Sequence, residues 1–163
     1  MYADNPMAKQ NFEIGFLLNR ASFALARYLN YSFGRHGLKD FSASYLGVLQ
    51  CLWIKDGQKL SELAQQIGLE ASSMTGLIDR MERAKLVKRQ SDPADRRVWR
   101  IHLTEKGQGI QRKIAGLFEE AHERLTRGIP LGELSVVRKS LGKFIENSGY
   151  LKGTQPRVAA PRR

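Results

Sequence analysis

The residues of this sequence best suited to chemistry lie between positions 72 and 97, and their types suit contact with a polyanion. Four apolar residues recur at helical spacing, so one helix face is expected to be buried: Met74, Leu77, Ile78 and Met81. The opposite face then carries small and hydroxyl-bearing residues, which allow a helix to enter the DNA major groove and reach base edges. The candidate DNA contacts on this helix are Ser72, Ser73, Thr75, Gly76, Arg80 and Arg83.

A basic hairpin is expected directly after this helix. Two strands, predicted over 86–89 and 98–103, flank a turn that contains Asp92 and Pro93. From Arg80 to Arg100 there are eight basic and three acidic residues, so about half of the chain's net charge of +11 lies there. A basic face that only contacts solvent is the alternative, and the serine-rich helix beside it favours DNA. The candidate contacts in this segment are Lys88, Asp95, Arg96 and Arg97.

Helices are expected to position both features. Ser42 and Ser61 are the predicted N-caps of two of them, and Thr104 and Glu105 open another. In the second hairpin strand, alternation places Trp99, Ile101 and Leu103 on one face. Apolar periodicity predicts helices over about 11–34, 42–54, 61–67, 71–84, 105–127 and 133–147, and a very short strand at 59–60.

The first predicted helix is apolar on nearly all sides, which requires cover on nearly all sides. In a chain of 163 residues, a second subunit is the expected source of that cover. The predicted class is therefore mainly α with a small β-wing: a winged helix-turn-helix lobe plus a helical dimerisation region.

The sequence resembles the MarR family of bacterial transcriptional regulators over about residues 11–148. The resemblance depends on five segments in a fixed order: Leu60-Ser61-Glu62-Leu63-Ala64, Thr75-Gly76-Leu77-Ile78-Asp79-Arg80-Met81-Glu82, Leu86-Val87, Asp95-Arg96-Arg97 and Leu103-Thr104-Glu105-Lys106-Gly107. It implies a homodimer with dimerisation helices at about 11–34 and 105–148 and a winged helix-turn-helix at about 42–104. It also implies that Arg97 enters the minor groove and that Asp95 holds it there, since a narrow minor groove attracts arginine. An N-terminal arm (1–10) and a basic, disordered tail (149–163) remain outside this region.

Many proteins of this family bind small aromatic acids or acyl thioesters between the dimer helices and the DNA lobe. The candidate lining residues here are Phe16, Arg20, Phe23, Tyr45 and Trp53. Arg20 is informative because a charge on a largely apolar helix is expected to meet a partner. That partner is either an anionic effector or a carboxylate across the dimer interface, and for each aromatic residue an ordinary core position is the alternative.

Other chemistry is not expected. The three histidines and Cys51 show no metal-ligand spacing, and no nucleophile is paired with a base, so we expect neither a metal site nor an enzyme. Cys51 has apolar neighbours and is expected to be an inert, buried thiol. The single cysteine and the charges within the longest apolar stretch indicate a cytoplasmic protein outside the membrane.

The function predicted from these features is sequence-specific binding of double-stranded DNA by a homodimeric regulator. A repressor that binds a pseudo-palindromic operator, and that a small aromatic or anionic effector releases, is the leading interpretation. The alternative is an architectural DNA-binding protein that responds to no ligand.

Overall fold

The computed structural model describes the backbone of residues 6–149 and the side chains of residues 13–149. Most of the described chain is helical, and its three strands form one antiparallel sheet in the order β1-β3-β2, which confirms the predicted class. A 3₁₀ turn at Ala43–Tyr45 precedes the second helix. The elements in chain order are α1 (Pro6–Arg35), α2 (Leu46–Ile54), β1 (Gln58–Lys59), α3 (Leu60–Ile67), α4 (Ala71–Arg83), β2 (Val87–Ser91), β3 (Trp99–Leu103), α5 (Glu105–Gly109), α6 (Gln111–Leu125) and α7 (Leu131–Ser148).

Helix α1 begins at Pro6, five residues before the predicted start, so part of the predicted arm is helical. Proline suits the first turn of a helix because its missing N–H would have no partner there. Residues 1–5 and the predicted tail from position 150 onward lie outside the described residues. No helix in the described part of the chain is long and apolar enough to cross a membrane.

We define the winged lobe as residues 42–104. The core of the molecule lies where α4 packs onto the other elements of this lobe. All four predicted inward residues of α4 are buried, which confirms the assignment of its two faces. Leu63 of α3 and Ile101 of β3 are fully buried in the same cluster. The C-terminal half of α1 contributes Leu29 and Phe33 to this core, and the Phe33 ring meets Phe41 edge-on at 4.8 Å.

Two predicted N-caps have different outcomes. The Ser42 hydroxyl accepts a hydrogen bond from the N–H of Ser44 at 3.3 Å, so Ser42 caps the 3₁₀ turn at Ala43–Tyr45. The N-cap of α2 itself is Tyr45, which makes no side-chain cap, so the prediction is correct for the turn but not for the α-helix. The Ser61 prediction is wrong, because α3 begins at Leu60 and its N-cap is Lys59. The carboxylate of Glu62 accepts from the Lys59 N–H at 3.1 Å, which satisfies the helix start without a serine.

The predicted helix from position 105 is divided in two at Ile110, which caps both α5 and α6. Thr104 caps α5 as predicted, since its hydroxyl accepts from the Gly107 N–H at 3.0 Å. Gly107 lies against the winged lobe, and the Trp53 indole donates to its carbonyl at 2.9 Å. Helix α5 therefore joins the winged lobe to the long helices that follow.

Candidate nucleic-acid interface

The outward face of α4 is available for contact along its first two turns. Ser72, Ser73 and Thr75 are exposed, and Gly76 is half-buried. The Thr75 hydroxyl donates to the carbonyl of Ala71 at 2.9 Å, so its oxygen remains free to accept a hydrogen bond. This face has the small side chains and hydrogen-bonding groups that contact with base edges requires.

The tip of the hairpin between β2 and β3 presents Arg97 on a short, ordered turn. The Arg97 Nε lies 3.2 Å from Oδ1 of Asp95, and its backbone N–H donates to the same oxygen at 3.0 Å. These hydrogen bonds from Arg97 lower the pKa of the Asp95 carboxyl, which therefore stays ionised and holds the guanidinium. The Arg97 side chain is nevertheless 92% exposed, so it can contact a ligand without losing this support.

A second pair, which joins a buried aspartate to a half-buried arginine, fixes the hairpin to the body of the winged lobe. Asp92 is only 3% exposed, and its carboxylate accepts from Nε of Arg100 at 2.7 Å. Arg100 also donates from Nη1 to the carbonyl of Gly57 at 2.9 Å, just before β1. The backbone N–H of Ala94, followed by Arg100, lowers the pKa of Asp92, so this carboxylate is ionised at neutral pH. The connection holds the hairpin against the segment that precedes β1.

A third ion pair removes charge from the predicted basic surface. Arg89 of β2 is 19% exposed, and its guanidinium contacts Oδ1 of Asp79 at 2.6 Å and the carboxylate of Glu82. Its backbone N–H also donates to Glu82 at 2.8 Å. Arg89 and Arg100 therefore connect elements of the fold. The exposed cations of this surface include Arg80, Arg83, Lys88, Arg96 and Arg97.

The sequence pattern indicated the charges of these pairs but not their partners. Alternation along β3 places Arg100 on the polar face of its strand and indicates no partner for it. The adjoining aspartate and proline place Asp92 in a turn. Their pairing depends on the antiparallel register, which places Ser91 opposite Trp99 and so brings the two strand ends together.

The predicted ligand residues fall into two groups. Tyr45 is buried and borders a cleft with Arg80 and Arg83, and Trp53 is half-buried beneath α5. By contrast, Phe16, Arg20 and Phe23 are exposed on α1, with the Arg20 guanidinium 5.7 Å from the centre of the Phe16 ring. A site that includes both groups stays a prediction.

Cys51 is half-buried on α2 and not buried as predicted, and this partial burial raises the pKa of its thiol. The protonated thiol is a weak nucleophile, so this residue has the properties expected of an inert cysteine. Across residues 13–149, no three histidine, cysteine or acidic side chains are grouped so that they could hold a metal ion.

Two helices joined by a tight turn, followed by a basic two-stranded hairpin, make residues 42–104 a winged helix-turn-helix lobe. The MarR family model matches residues 41–99. The HTH-type transcriptional regulator MhqR of Bacillus subtilis (strain 168) is 31% identical over 104 residues, which are 64% of this chain and 70% of that protein. The chain belongs to the MarR family of DNA-binding transcriptional regulators.

The fold is similar to that of solved structures along most of the chain. A MarR-family transcriptional regulator from Rhodococcus sp. RHA1 is 27% identical with a TM-score of 0.69, and the match covers 89% of this chain and 96% of that one. CouR from Rhodococcus jostii RHA1, bound to p-coumaroyl-CoA, is 25% identical with a TM-score of 0.67, over 88% of this chain and 94% of its own. The similarity therefore extends beyond the winged lobe to the long helices.

Proposed function

We propose that this MarR-family regulator binds a specific, pseudo-palindromic DNA duplex as a homodimer and is a repressor released by a small aromatic or anionic effector. The observation that carries the proposal is the position of the exposed, small-residue face of α4 on the same lobe as the Asp95–Arg97 pair. Helix α4, which can enter the major groove, therefore lies beside Arg97, which Asp95 holds and which can enter the adjacent minor groove.

The two parts of this surface are assigned different roles. The α4 face contacts base edges in the major groove, where the donor and acceptor pattern distinguishes all four base pairs. Arg97 enters the minor groove, where the negative potential is concentrated, and Asp95 orients it. The proposed DNA contacts are Ser72, Ser73, Thr75, Gly76, Arg80, Arg83, Lys88, Asp95, Arg96 and Arg97.

Uncovered apolar surface supports the homodimer. Within the described chain, no residue of the 18-residue helix α7 is buried, although the helix is rich in apolar residues. Val137, Leu141 and Phe144 are among its exposed hydrophobic side chains. Phe16 and Phe23 are likewise 53% and 63% exposed on α1. A second copy that covers both helices would bury this surface, and a two-fold dimer would place its α4 helices about 34 Å apart.

The proposed effector site uses Arg20 and the aromatic residues of α1, together with Tyr45 and Trp53. Arg20 offers a positive charge beside the Phe16 ring, which suits a ligand that combines an anionic and an aromatic group. CouR binds p-coumaroyl-CoA, a ligand of this description. Release from DNA requires only that the effector bind the DNA-free form more tightly than the DNA-bound form.

Selection of bound duplexes from a random pool tests the proposal. The expected result is enrichment of a pseudo-palindrome whose half-sites are about 10 base pairs, one helical turn, apart. Sedimentation at micromolar concentration is expected to give a dimer. A monomer, or binding with no enriched sequence, would contradict the proposal, and the second result would instead favour an architectural DNA-binding protein.

A further inference from the structure

A groove of about 540 Å³ lies between α4 and the hairpin, and the DNA contacts proposed above include only part of its lining. Thr75 lines the groove on the α4 side, and Arg97 and Trp99 line it on the hairpin side. Ser61, at the start of α3, lines it as well. Ser61 does not cap its helix, and it is exposed.

Trp99 is the unexpected residue of this groove. It shares one face of β3 with Ile101 and Leu103, which are buried, but it is itself 46% exposed. The reason is the length of the sheet: β1 pairs with β3 only at Ile101 and Arg100, so Trp99 extends past the end of β1. A large aromatic side chain left half exposed offers apolar area to a partner.

The charges around the groove suit an anionic partner. Asp79 is the acidic residue in its lining, and Arg89 neutralises it at 2.6 Å. Arg97, which is paired with Asp95 at 3.2 Å, presents a 92% exposed guanidinium at the other side. A chain that alternates apolar sugars with phosphates would therefore find both an indole surface and a cation here.

We propose that this groove receives the sugar–phosphate backbone of one DNA strand, with the Trp99 indole packed against a deoxyribose. The inference depends on the proposed function. If α4 enters the major groove and Arg97 the adjacent minor groove, the strand that separates the two grooves has to pass between α4 and the hairpin. The groove occupies that position, and sugar contacts hold register without reading sequence.

Substitution of Trp99 gives a distinctive pattern of binding. Trp99→Ala is expected to weaken binding roughly 10-fold through lost apolar contact. The loss is expected to be equal for preferred and random duplexes, because a sugar carries no base identity. The salt dependence is expected to stay unchanged, because no charge is removed. Trp99→Phe, which keeps an aromatic ring, is expected to retain most of the affinity. Unchanged affinity in Trp99→Ala, or a loss confined to particular base pairs, would overturn the proposal.

Fluorescence reports on the same contact directly, because the chain contains only two tryptophans, Trp53 and Trp99. The difference between the acrylamide quenching of the wild-type protein and that of Trp99→Phe isolates Trp99. Saturating duplex is expected to reduce this quenching at least two-fold and to leave that of Trp53 unchanged. If anisotropy shows bound duplex while Trp99 stays equally accessible, the groove assignment is wrong and the proposed function survives. If no duplex binds, both fail.

Discussion

Substitution of Gly107 by alanine is predicted to destabilise the protein, because the backbone of another segment occupies the space for a side chain. A Cβ at this buried position would lie 2.1 Å from the carbonyl oxygen of Leu86. Contacts below 3.0 Å essentially never occur for real Cβ atoms, so the two segments would have to separate by about 0.9 Å. That carbonyl already accepts from the Thr104 N–H at 3.1 Å, and the Thr104 hydroxyl, which donates to the preceding Lys85 carbonyl at 2.6 Å, holds the same stretch of backbone in place.

The expected cost follows from these contacts. Overpacking costs about 1–3 kcal/mol, and a weakened hydrogen bond adds about 1 kcal/mol, so the free energy of unfolding is predicted to fall by about 2–4 kcal/mol. For a chain of this length the melting temperature is then expected to fall by about 4–16 °C. Gly109→Ala in the same helix is the matched control. Nothing lies within 4 Å of its added Cβ, and alanine favours helix by about 0.5–1 kcal/mol.

Thermal unfolding of the two variants and the wild type, followed by circular dichroism at one protein concentration, measures the difference. The prediction is a lower melting temperature for Gly107→Ala and an equal or higher one for Gly109→Ala. Equal melting temperatures for the two variants would refute the reasoning, since helix propensity alone would then explain both substitutions.

The remaining predictions concern binding. Ser73→Ala is expected to change the preference at one or two base pairs with an unchanged salt slope, which binding to a panel of point-mutated duplexes measures; a uniform loss would argue against a base contact. Arg20→Ala is expected to abolish the effector response, which ligand titration measures, and to leave the dimer intact, which sedimentation measures. Loss of the dimer would instead assign Arg20 to an ion pair between subunits. Because Arg97 lowers the pKa of Asp95, their pair is complete above the usual carboxyl pKa and is lost only as the pH falls below it. The affinity ratio between the wild type and Arg97→Ala is therefore expected to stay constant from pH 5.5 to pH 8, and a ratio that drops across this range would contradict the assignment.

The fold could be predicted from the sequence where local signals were strong. The apolar spacing of α4 identified its buried face because four residues repeat at helical intervals with no competing pattern. The Thr104 cap could be predicted because its hydroxyl acts within three residues. The start of α3 could not be predicted in this way. Serine is a common N-cap and indicated Ser61, but the helix begins one residue earlier, where the Glu62 carboxylate accepts from the Lys59 N–H.

The candidate site could be predicted in its charges but not in its pairings. The Asp95–Arg97 pair was implied by the resemblance to the MarR family, and the structure shows the two side chains in contact. Arg100 meets Gly57 at a separation of 43 residues, and only the sheet brings them together. The exposure of Trp99 also depends on the short length of β1, which no alternation within β3 reveals.

The salt dependence of DNA binding tests most directly whether Arg97 and the surface around it bind a duplex. Binding of one duplex is measured from low to physiological salt for the wild type, Arg97→Ala and Arg112→Ala. Arg112 is an exposed cation on α6, outside the winged lobe, and serves as the charge-matched control. A steep decrease of affinity with salt is expected for the wild type and for Arg112→Ala. For Arg97→Ala, the slope is expected to be shallower by about 1 per subunit that contacts the duplex. Equal slopes for the two arginine variants would contradict this role of Arg97.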